Sequence, residues 1–571
     1  MNSQIKVSDA IVEILISNGI TDVFGYPGGM VIHLMDSFRK YEKQIKFRLC
    51  YQEQGAAFEA CSNALISQKT GIAIATSGPG ATNLVTGIAQ AYFDSIPTIF
   101  ITGQVNTNES SLGMQIRQRG FQETNIVEIV KPITKATFYV DEPENIYDVF
   151  HKAFQIANEG RKGPVLIDLP MNISRAMIDR QQIESVFFET VELSNYTLVT
   201  IDNELKKAKR PVFIIGNGIK NGFSYDVEKV RGKLNCIIPC VCSLPAIDVL
   251  PTYQKNNFGM IGAYGNRTAN IIVNKADLII SFGARLDVRQ VGGKRENFAP
   301  KAKVIRIDID ENELAYKIRQ NDININADAY SLLLALNLSS YDFQDWFDKC
   351  SMIQNLVLKE KLDCLPTNDI VNIIGKHIDN SAILTTDVGQ NQIWVAQSFP
   401  FEHQTLLTSS SLGSMGYSLP AAIGAYYGSQ GKKKVISFNG DGGIQMNIQE
   451  LGVIARDRLP IKVVIFNNEA LGMIRAFQEI YFDDYYLTTK KSGFSNPKFD
   501  KLAEAYGIDY CYLDNISEQS DFTVFNDDKA RIIEIPIKYP TYVYPKLKFG
   551  ESNDNQLPYM SSDVLERIRS L

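Results

Sequence analysis

The chain has 571 residues, of which 45% are apolar, and a formal net charge of −6. At roughly 150 residues per domain that length calls for several domains, and the apolar fraction supplies core for them. No basic stripe marks a nucleic-acid partner, and no run approaches the roughly 18 continuous apolar residues of a membrane span, so neither partner is expected. Met1 to Lys6 lacks the apolar core of a secretory signal, which predicts a cytoplasmic protein. The eight cysteines are scattered, and Cys240-Val241-Cys242 has the wrong spacing for a zinc pair or a redox motif. Reduced core thiols are expected.

From Ile20 to Leu169, strand-like runs (Gly71 to Thr76, Thr98 to Thr102, Val165 to Leu169) alternate with helix-like segments, which predicts a doubly wound α/β domain over 1–172. Lys46 to Tyr51 reads as a short strand, with Glu53 just past its carboxyl end and a helix beginning near Gln54. A lone glutamate there also suits a solvated helix N-terminus. Ile173 to about Thr200 reads as a polar linker. A second alternating block is expected over 200–337, opening on Pro211 to Ile215 and then Gly216-Asn217-Gly218, with Gly222 one residue late for a dinucleotide fingerprint. Ser339 to Asp348 reads as the next linker, and a third α/β block is expected over 366–545. The fold class is therefore three doubly wound, parallel-sheet α/β domains.

The third block carries the densest chemistry. Val435 to Phe438 ends in Asn439-Gly440-Asp441-Gly442, and Ile461 to Phe466 ends in Asn467-Asn468. Between them Met446, Ile448, Leu451 and Ile454 recur at near-helical spacing, predicting a strand-helix-strand crossover. Both polar clusters then fall at the carboxyl ends of parallel strands, where such sheets bind ligands. An aspartate, an asparagine and a backbone carbonyl are hard oxygen donors suited to magnesium and phosphate, and glycine lets the backbone come close to phosphate oxygens.

Gly440-Asp441-Gly442, the twenty-four intervening residues and Asn467-Asn468 resemble the signature of thiamine-diphosphate enzymes. Tyr51-Gln52-Glu53-Gln54-Gly55-Ala56-Ala57, Thr76-Ser77-Gly78-Pro79-Gly80-Ala81-Thr82-Asn83, Gly120-Phe121-Gln122-Glu123-Thr124 and Leu412-Gly413-Ser414-Met415-Gly416 are similar to the acetohydroxyacid (acetolactate) synthase branch, in the same order along nearly the whole chain. The resemblance implies thiamine diphosphate and Mg2+ as cofactors, with Asp441, Asn468 and the Ala470 carbonyl as metal ligands. Gly389, Gln390, Gly440, Gly442 and Met473 would border the diphosphate. The Gly413 carbonyl would accept the pyrimidine amino group, and Met415 would keep the cofactor bent. Glu53 would hydrogen-bond the pyrimidine ring, a role favoured when apolar surroundings raise its pKa. The family often has His where Asn391 stands. In this reading the domains at 1–172 and 366–545 hold the thiamine cofactor between two subunits of a homodimer or homotetramer.

Gly283-Ala284-Arg285-Leu286-Asp287 and Ile307-Asp308-Ile309-Asp310 resemble the family's flavin-contacting segments. The implied FAD site comprises Gly216, Arg285, Asp287, Asp308 and Asp328, with a structural role because pyruvate condensation is redox-neutral.

Only four histidines occur, His33, His151, His377 and His403, and none forms the adjacent pair of simple decarboxylases. Releasing an aldehyde needs a proton donor, so a site poor in donors favours carboligation. The expected reaction decarboxylates pyruvate and adds the two-carbon unit to a second carbonyl. Arg289 would orient the acceptor carboxylate, although Val288 replaces the family's acidic residue before it. Phe121 and Gln122 would reach the same pocket from the partner subunit. Phe477 stands where biosynthetic members carry Trp, which weakens selection of a larger acceptor by about 1–3 kcal/mol. Gln52 in place of His and the ending Pro545-Lys546-Leu547-Lys548-Phe549-Gly550 resemble acetolactate-synthase-like proteins of cell-surface polysaccharide pathways, including those making branched sugars such as yersiniose. A keto-sugar nucleotide acceptor, a pyruvate oxidase-type flavoenzyme and a non-catalytic scaffold are the alternatives.

Overall fold

A computed structural model of the chain describes residues 4–183, 186, 193–222, 224–363, 365–482 and 484–571. Three six-stranded sheets, each wholly parallel, lie in succession along the sequence. Their strands are near-continuous apolar runs, such as Gly71–Ala75 and Val435–Gly440. Helices cover both faces of a parallel sheet, so its strands need no alternation of apolar and polar residues.

The first sheet comprises Asp22–Gly25, Lys46–Leu49, Gly71–Ala75, Thr98–Gln104, Ala136–Tyr139 and Pro164–Pro170; counted in chain order these lie 2-1-3-4-6-5 across it. The third sheet, built from Ile383–Thr386, Thr405–Thr408, Val435–Gly440, Lys462–Asn467, Asp509–Tyr512 and Arg531–Pro536, has the same order. The middle sheet, from Pro211–Ile215 to Ile323–Asn326, has the order 3-2-1-4-5-6, the arrangement of dinucleotide-binding sheets. Each order reverses at one pair of neighbouring strands, opening a crevice beyond their carboxyl ends.

The first and third domains are joined by the helix Glu53–Ser67, which lies against Ser418–Gly428. Two glycines make this approach possible. A Cβ on Gly424 would stand 2.0 Å from the Glu59 carbonyl oxygen and 2.2 Å from Ser62 Oγ, and one on Gly428 would stand 3.0 Å from the Asn63 carbonyl. Glu450, on the third domain, also accepts the Tyr51 N–H at 3.1 Å, holding the loop before Glu53.

Three expectations change. The segment after Pro170 is not simply a linker: Met177–Asp179 pairs antiparallel with Gln4–Lys6, because Ile178 buries beside Ile5. Residues 184, 185 and 187–192 of that stretch lie outside the described residues. The expected linker Ser339 to Asp348 contains the start of a helix, Gln344–Glu360, whose Trp346, Cys350, Ile353 and Val357 recur at helical spacing and bury one face. The expected continuous helix from Met446 to Ile454 is instead a 3-10 stretch, Gly443–Glu450, with Asn447 at φ −133° and ψ 36°, followed by Leu451–Asp457. Asn447 leaves the helix to donate to the Gly416 carbonyl at 2.9 Å.

Seven cysteines, Cys50, Cys61, Cys236, Cys240, Cys242, Cys350 and Cys511, are free thiols and most are buried; Cys364 lies outside the described residues. Among the described residues no helix is long and apolar enough to cross a membrane.

Gly424→Ala would force backbone apart at the contact between the two helices, and overpacking of this kind costs about 1–3 kcal/mol. Urea unfolding of the variant should show a lower midpoint than the wild type. An unchanged midpoint would mean that the helices part without cost.

Candidate functional site

At the reversal point of the third sheet, Ile383–Thr386 lies beside Val435–Gly440. Both strands end in glycine turns. A Cβ on Gly389 or on Gly440 would stand 3.4 Å from Asn391 Nδ2, and the buried Asn391 Oδ1 has no hydrogen-bond partner. The Asn391 amide N–H group, facing two Cβ-free turns, suits an oxyanion ligand, whereas its Oδ1 is an acceptor and would not contact one. Gly389 has φ 147°, open only to glycine at low cost.

Asp441 follows the second of these strands and is buried. Its Oδ2 accepts the Asn496 amide at 2.8 Å and the Ala470 N–H at 3.3 Å. Asn468 Oδ1 also accepts the Ala470 N–H, at 3.2 Å, and the Asn468 amide donates to Thr541 Oγ1 at 2.7 Å and Gln390 Oε1 at 3.3 Å. Asp441, Asn468, Ala470 and Gln390 thus share one cluster. Burial pushes the Asp441 carboxyl up to about 6, opposed by the Asn496 hydrogen bond. Among the described residues no lysine or arginine pairs with it; Lys490 pairs instead with Glu469, at 2.6 Å. A buried carboxylate with no counter-ion among the described residues, beside the Asn468 Oδ1 that shares its Ala470 N–H donor, offers hard oxygens to a cation. One carboxylate plus amides is not a cluster of histidines, cysteines and acids, and no group of three such side chains occurs among the described residues.

Gly442 sits between Leu471 and Met415: a Cβ there would be 2.6 Å from Leu471 Cδ2 and 3.7 Å from Met415 Cε. Gly413 has φ 72° and open space where a Cβ would project. The fully buried Asp387 fixes the turn that follows by accepting the Gly416 and Ser418 N–H groups, each at 3.1 Å. The helix Gly472–Tyr481 begins beside Gln390, since a Cβ on Gly472 would meet Gln390 Oε1 at 2.0 Å. Met473 packs on the core, and Phe477, four residues on, is 38% exposed and stacks on Tyr481. Those two side chains share a face.

In the first domain, Glu53 is the first residue of its helix, with the Gln52 side chain accepting the Gly55 N–H at 3.1 Å as its cap. Glu53 is buried, and its Oε2 accepts the Asn83 amide at 2.9 Å. Among the described residues nothing from the third domain bonds to this carboxylate. A Cβ on Gly80 would stand 3.2 Å from Glu53 Oε1, and one on Gly78 would stand 2.9 Å from the Gln122 carbonyl oxygen. Glu53 and the Gln122 backbone therefore flank opposite ends of the turn Gly78-Pro79-Gly80. Gln122 is held at φ 63°, and Phe121 beside it is 81% exposed.

Glu123, quoted only as part of a motif, staples this loop. It accepts the Arg119 N–H at 2.8 Å, the Ser111 N–H at 2.5 Å and the Ser110 and Ser111 hydroxyls at 3.0 and 2.9 Å. Burial raises its pKa, but these donors outweigh that and hold it at about 2.

The middle sheet reverses between Pro211–Ile215 and Leu278–Phe282. Gly216 lets the two strand ends touch, because a Cβ there would be 2.2 Å from the Gly283 carbonyl oxygen. Beyond them opens a cleft whose lining includes Gly218, Arg285, Asp287, Asp308, Asp328 and Arg289. Arg285 pairs with Asp287 at 2.5 Å, and Asp328 caps the helix Ala329–Ala335 through the Ser331 N–H at 2.7 Å. From the first domain, Arg161 closes one side by pairing with Asp310 at 3.0 Å and Glu313 at 2.8 Å. Arg289 stands where this cleft meets the third domain, donating to the Ser410 carbonyl at 3.4 Å. None of the four histidines lines the cleft; His403 contacts Arg231 and Glu228, and His377 stacks on Phe522.

Asn496, Thr541 and Asp387 were not singled out from the sequence. Asn496 and Thr541 lie in irregular segments with no periodicity to mark them, whereas Asn83 stood in a quoted motif without a role.

Because Glu123 is depressed from its ordinary range, its contribution to stability is present above about 4.5 and lost as pH falls toward 2. Glu123→Ala should speed proteolytic cleavage within 110–122 at pH 7 while leaving the three sheets intact. Unaltered cleavage would show that the carboxylate does not hold the loop.

Comparison with known proteins fits this architecture sheet by sheet. Residues 5–129 match the thiamine pyrophosphate enzyme N-terminal TPP binding domain, 200–336 the central domain and 387–525 the C-terminal TPP binding domain. The chain is 37% identical to the acetolactate synthase large subunit of Lactococcus lactis, over 98% of this chain and 97% of that protein. It is 35% identical to the acetolactate synthase isozyme 2 large subunit of Escherichia coli, over 96% of this chain and 99% of that protein. The chain belongs to the acetolactate synthase family of thiamine pyrophosphate enzymes.

Proposed function

We propose that the protein is a thiamine-diphosphate-dependent carboligase that decarboxylates pyruvate and joins the two-carbon unit to a second carbonyl. The observation that carries this reading is the buried Asp441 without a counter-ion, set among Asn468, Gln390 and the Cβ-free turns at Gly389 and Gly440. Asp441, Asn468 and the Ala470 carbonyl would hold Mg2+, with Asn391 and the glycine turns facing the diphosphate. Bound there, thiamine diphosphate would supply the nucleophilic carbon that takes up pyruvate.

The remaining work falls to the chain. Glu53, fixed by Asn83, would hold a proton at the pyrimidine ring nitrogen. Met415 and Leu471 would wall the cofactor, Arg289 would orient the acceptor and Phe477 would form an apolar side of its pocket. The 3-2-1-4-5-6 order and the cleft lined by Arg285, Asp287, Asp308 and Asp328 support FAD in the middle domain. A homodimer or homotetramer follows if Glu53 of one copy serves the metal cluster of another. That no third-domain group bonds to Glu53 among the described residues, and that Phe121 is exposed, support that arrangement.

With pyruvate, Mg2+, thiamine diphosphate and FAD, the protein should release carbon dioxide and form acetolactate without consuming oxygen. Peroxide would indicate an oxidase instead. Glu53→Gln should still bind the cofactor yet lose roughly a hundredfold or more in turnover, the scale of a lost acid-base group. Unchanged turnover would remove Glu53 from the mechanism.

A further inference from the structure

Three domains meet at one short loop of the third, Ser409 to Ser411, just before Gly413 and Met415. From the first domain, Asp94 reaches this loop with both carboxylate oxygens. Its Oδ1 accepts the Ser410 hydroxyl at 2.8 Å and the Ser411 N–H at 2.9 Å, and its Oδ2 accepts the Ser410 N–H at 3.1 Å and the Gln90 amide. Gln90 adds a second tie: its Oε1 accepts the Ser409 hydroxyl at 2.6 Å, and Ser409 Oγ in turn accepts the Ser414 N–H at 2.9 Å. From the middle domain, Arg289 donates to the Ser410 carbonyl. Asp94, Gln90 and Ser409 are all buried.

This is an uncomfortable place for an acid. Asp94 caps the carbonyl end of the helix Val85–Phe93, where the helix dipole disfavours negative charge. Among the described residues no lysine or arginine pairs with it. Its charge is met by the four donors, and two of them are backbone N–H groups, so it fixes the course of the loop itself.

On the far side, Asp387 holds the Gly416 and Ser418 N–H groups. Gly413, between the two clamps, makes no hydrogen bond of its own among the described residues. Met415 faces the Gly440-Asp441-Gly442 turn, since a Cβ on Gly442 would stand 3.7 Å from its Cε. The Gly413 carbonyl and the Met415 side chain are therefore placed by Asp94 before them and Asp387 after them.

We propose that Asp94 is a positioning residue for thiamine diphosphate: through Ser409, Ser410 and Ser411 it sets the Gly413 carbonyl and Met415, which would receive the pyrimidine half of the cofactor. This rests on the carboligase reading above for the identity of the ligand. The first domain then serves two sites, lending Glu53 to another copy and Asp94 to its own third domain. Asp94 also lines the cleft of the middle domain, so FAD binding serves as a control.

Equilibrium binding to the full chain, with Mg2+ present, compares thiamine diphosphate with inorganic pyrophosphate, a probe that suits the Asp441 cluster but has no group for Gly413 or Met415. Asp94→Asn keeps one acceptor oxygen and, whichever way its amide turns, sets an NH2 group against the Ser410 or Ser411 N–H. It should weaken thiamine diphosphate roughly tenfold, the scale of a lost charge-assisted hydrogen bond, and leave pyrophosphate and FAD within about twofold of the wild type. Ser409→Ala cuts the tie to Gln90 and Ser414; it should show the same pattern and serves if Asp94→Asn does not fold. Unchanged thiamine diphosphate affinity in the folded variant, or a loss shared equally by pyrophosphate or FAD, overturns the proposal. A wild type that binds pyrophosphate but not thiamine diphosphate overturns the carboligase reading, and this assignment with it.

Discussion

One buried carboxylate governs the third domain. Asp441 lies among Asn467, Asn468 and Asn496, in surroundings whose burial raises its pKa, and among the described residues no lysine or arginine pairs with it. Ionising it there is costly without a cation, and the amide oxygens beside it are suited to complete a metal's coordination. The glycines at 389, 440 and 442 add the second half of the constraint, because they keep Cβ atoms out of the space that a phosphate group would take. The Asn391 amide nitrogen, a donor, lies at the junction of the two turns. The proposed metal and diphosphate answer both halves at once.

Three sheets repeat one idea with two strand orders. The first and third share 2-1-3-4-6-5, and the middle one runs 3-2-1-4-5-6. At each reversal point a turn comes so close to its neighbour that a side chain would collide: Gly28 with Thr76 at 2.4 Å, Gly216 with Gly283 at 2.2 Å, Gly443 with Asp387 at 2.4 Å. The polar groups of interest gather beyond these turns for that reason. The Glu53 helix and the helix with Gly424 then lock the first domain to the third. Arg161 and Arg289 tie the middle domain to its neighbours.

Much of this was legible because the chemistry is local in sequence. Apolar runs ending in Gly440-Asp441-Gly442 and Asn467-Asn468 mark strand ends, and the structure brings the two clusters together. Arg285, Asp287, Asp308 and Asp328 likewise share one cleft. What escaped was long-range: Asn496, Thr541 and Glu450 reach their partners across tens or hundreds of residues, and no periodicity announces such contacts. The helix Gln344–Glu360 was missed because tyrosine and aspartate at its start masked an apolar face further along. The break at Asn447 was invisible for another reason, since it depends on the Gly416 carbonyl beside it.

The account turns on whether the third domain holds a diphosphate through a cation at Asp441. Equilibrium binding of thiamine diphosphate, with Mg2+ and again with a chelator, addresses that directly in the wild type and in Asp441→Ala. Tight binding that requires Mg2+ and disappears in the variant is the predicted result. Binding that is the same with chelator present, or that survives loss of the Asp441 carboxylate, would contradict it.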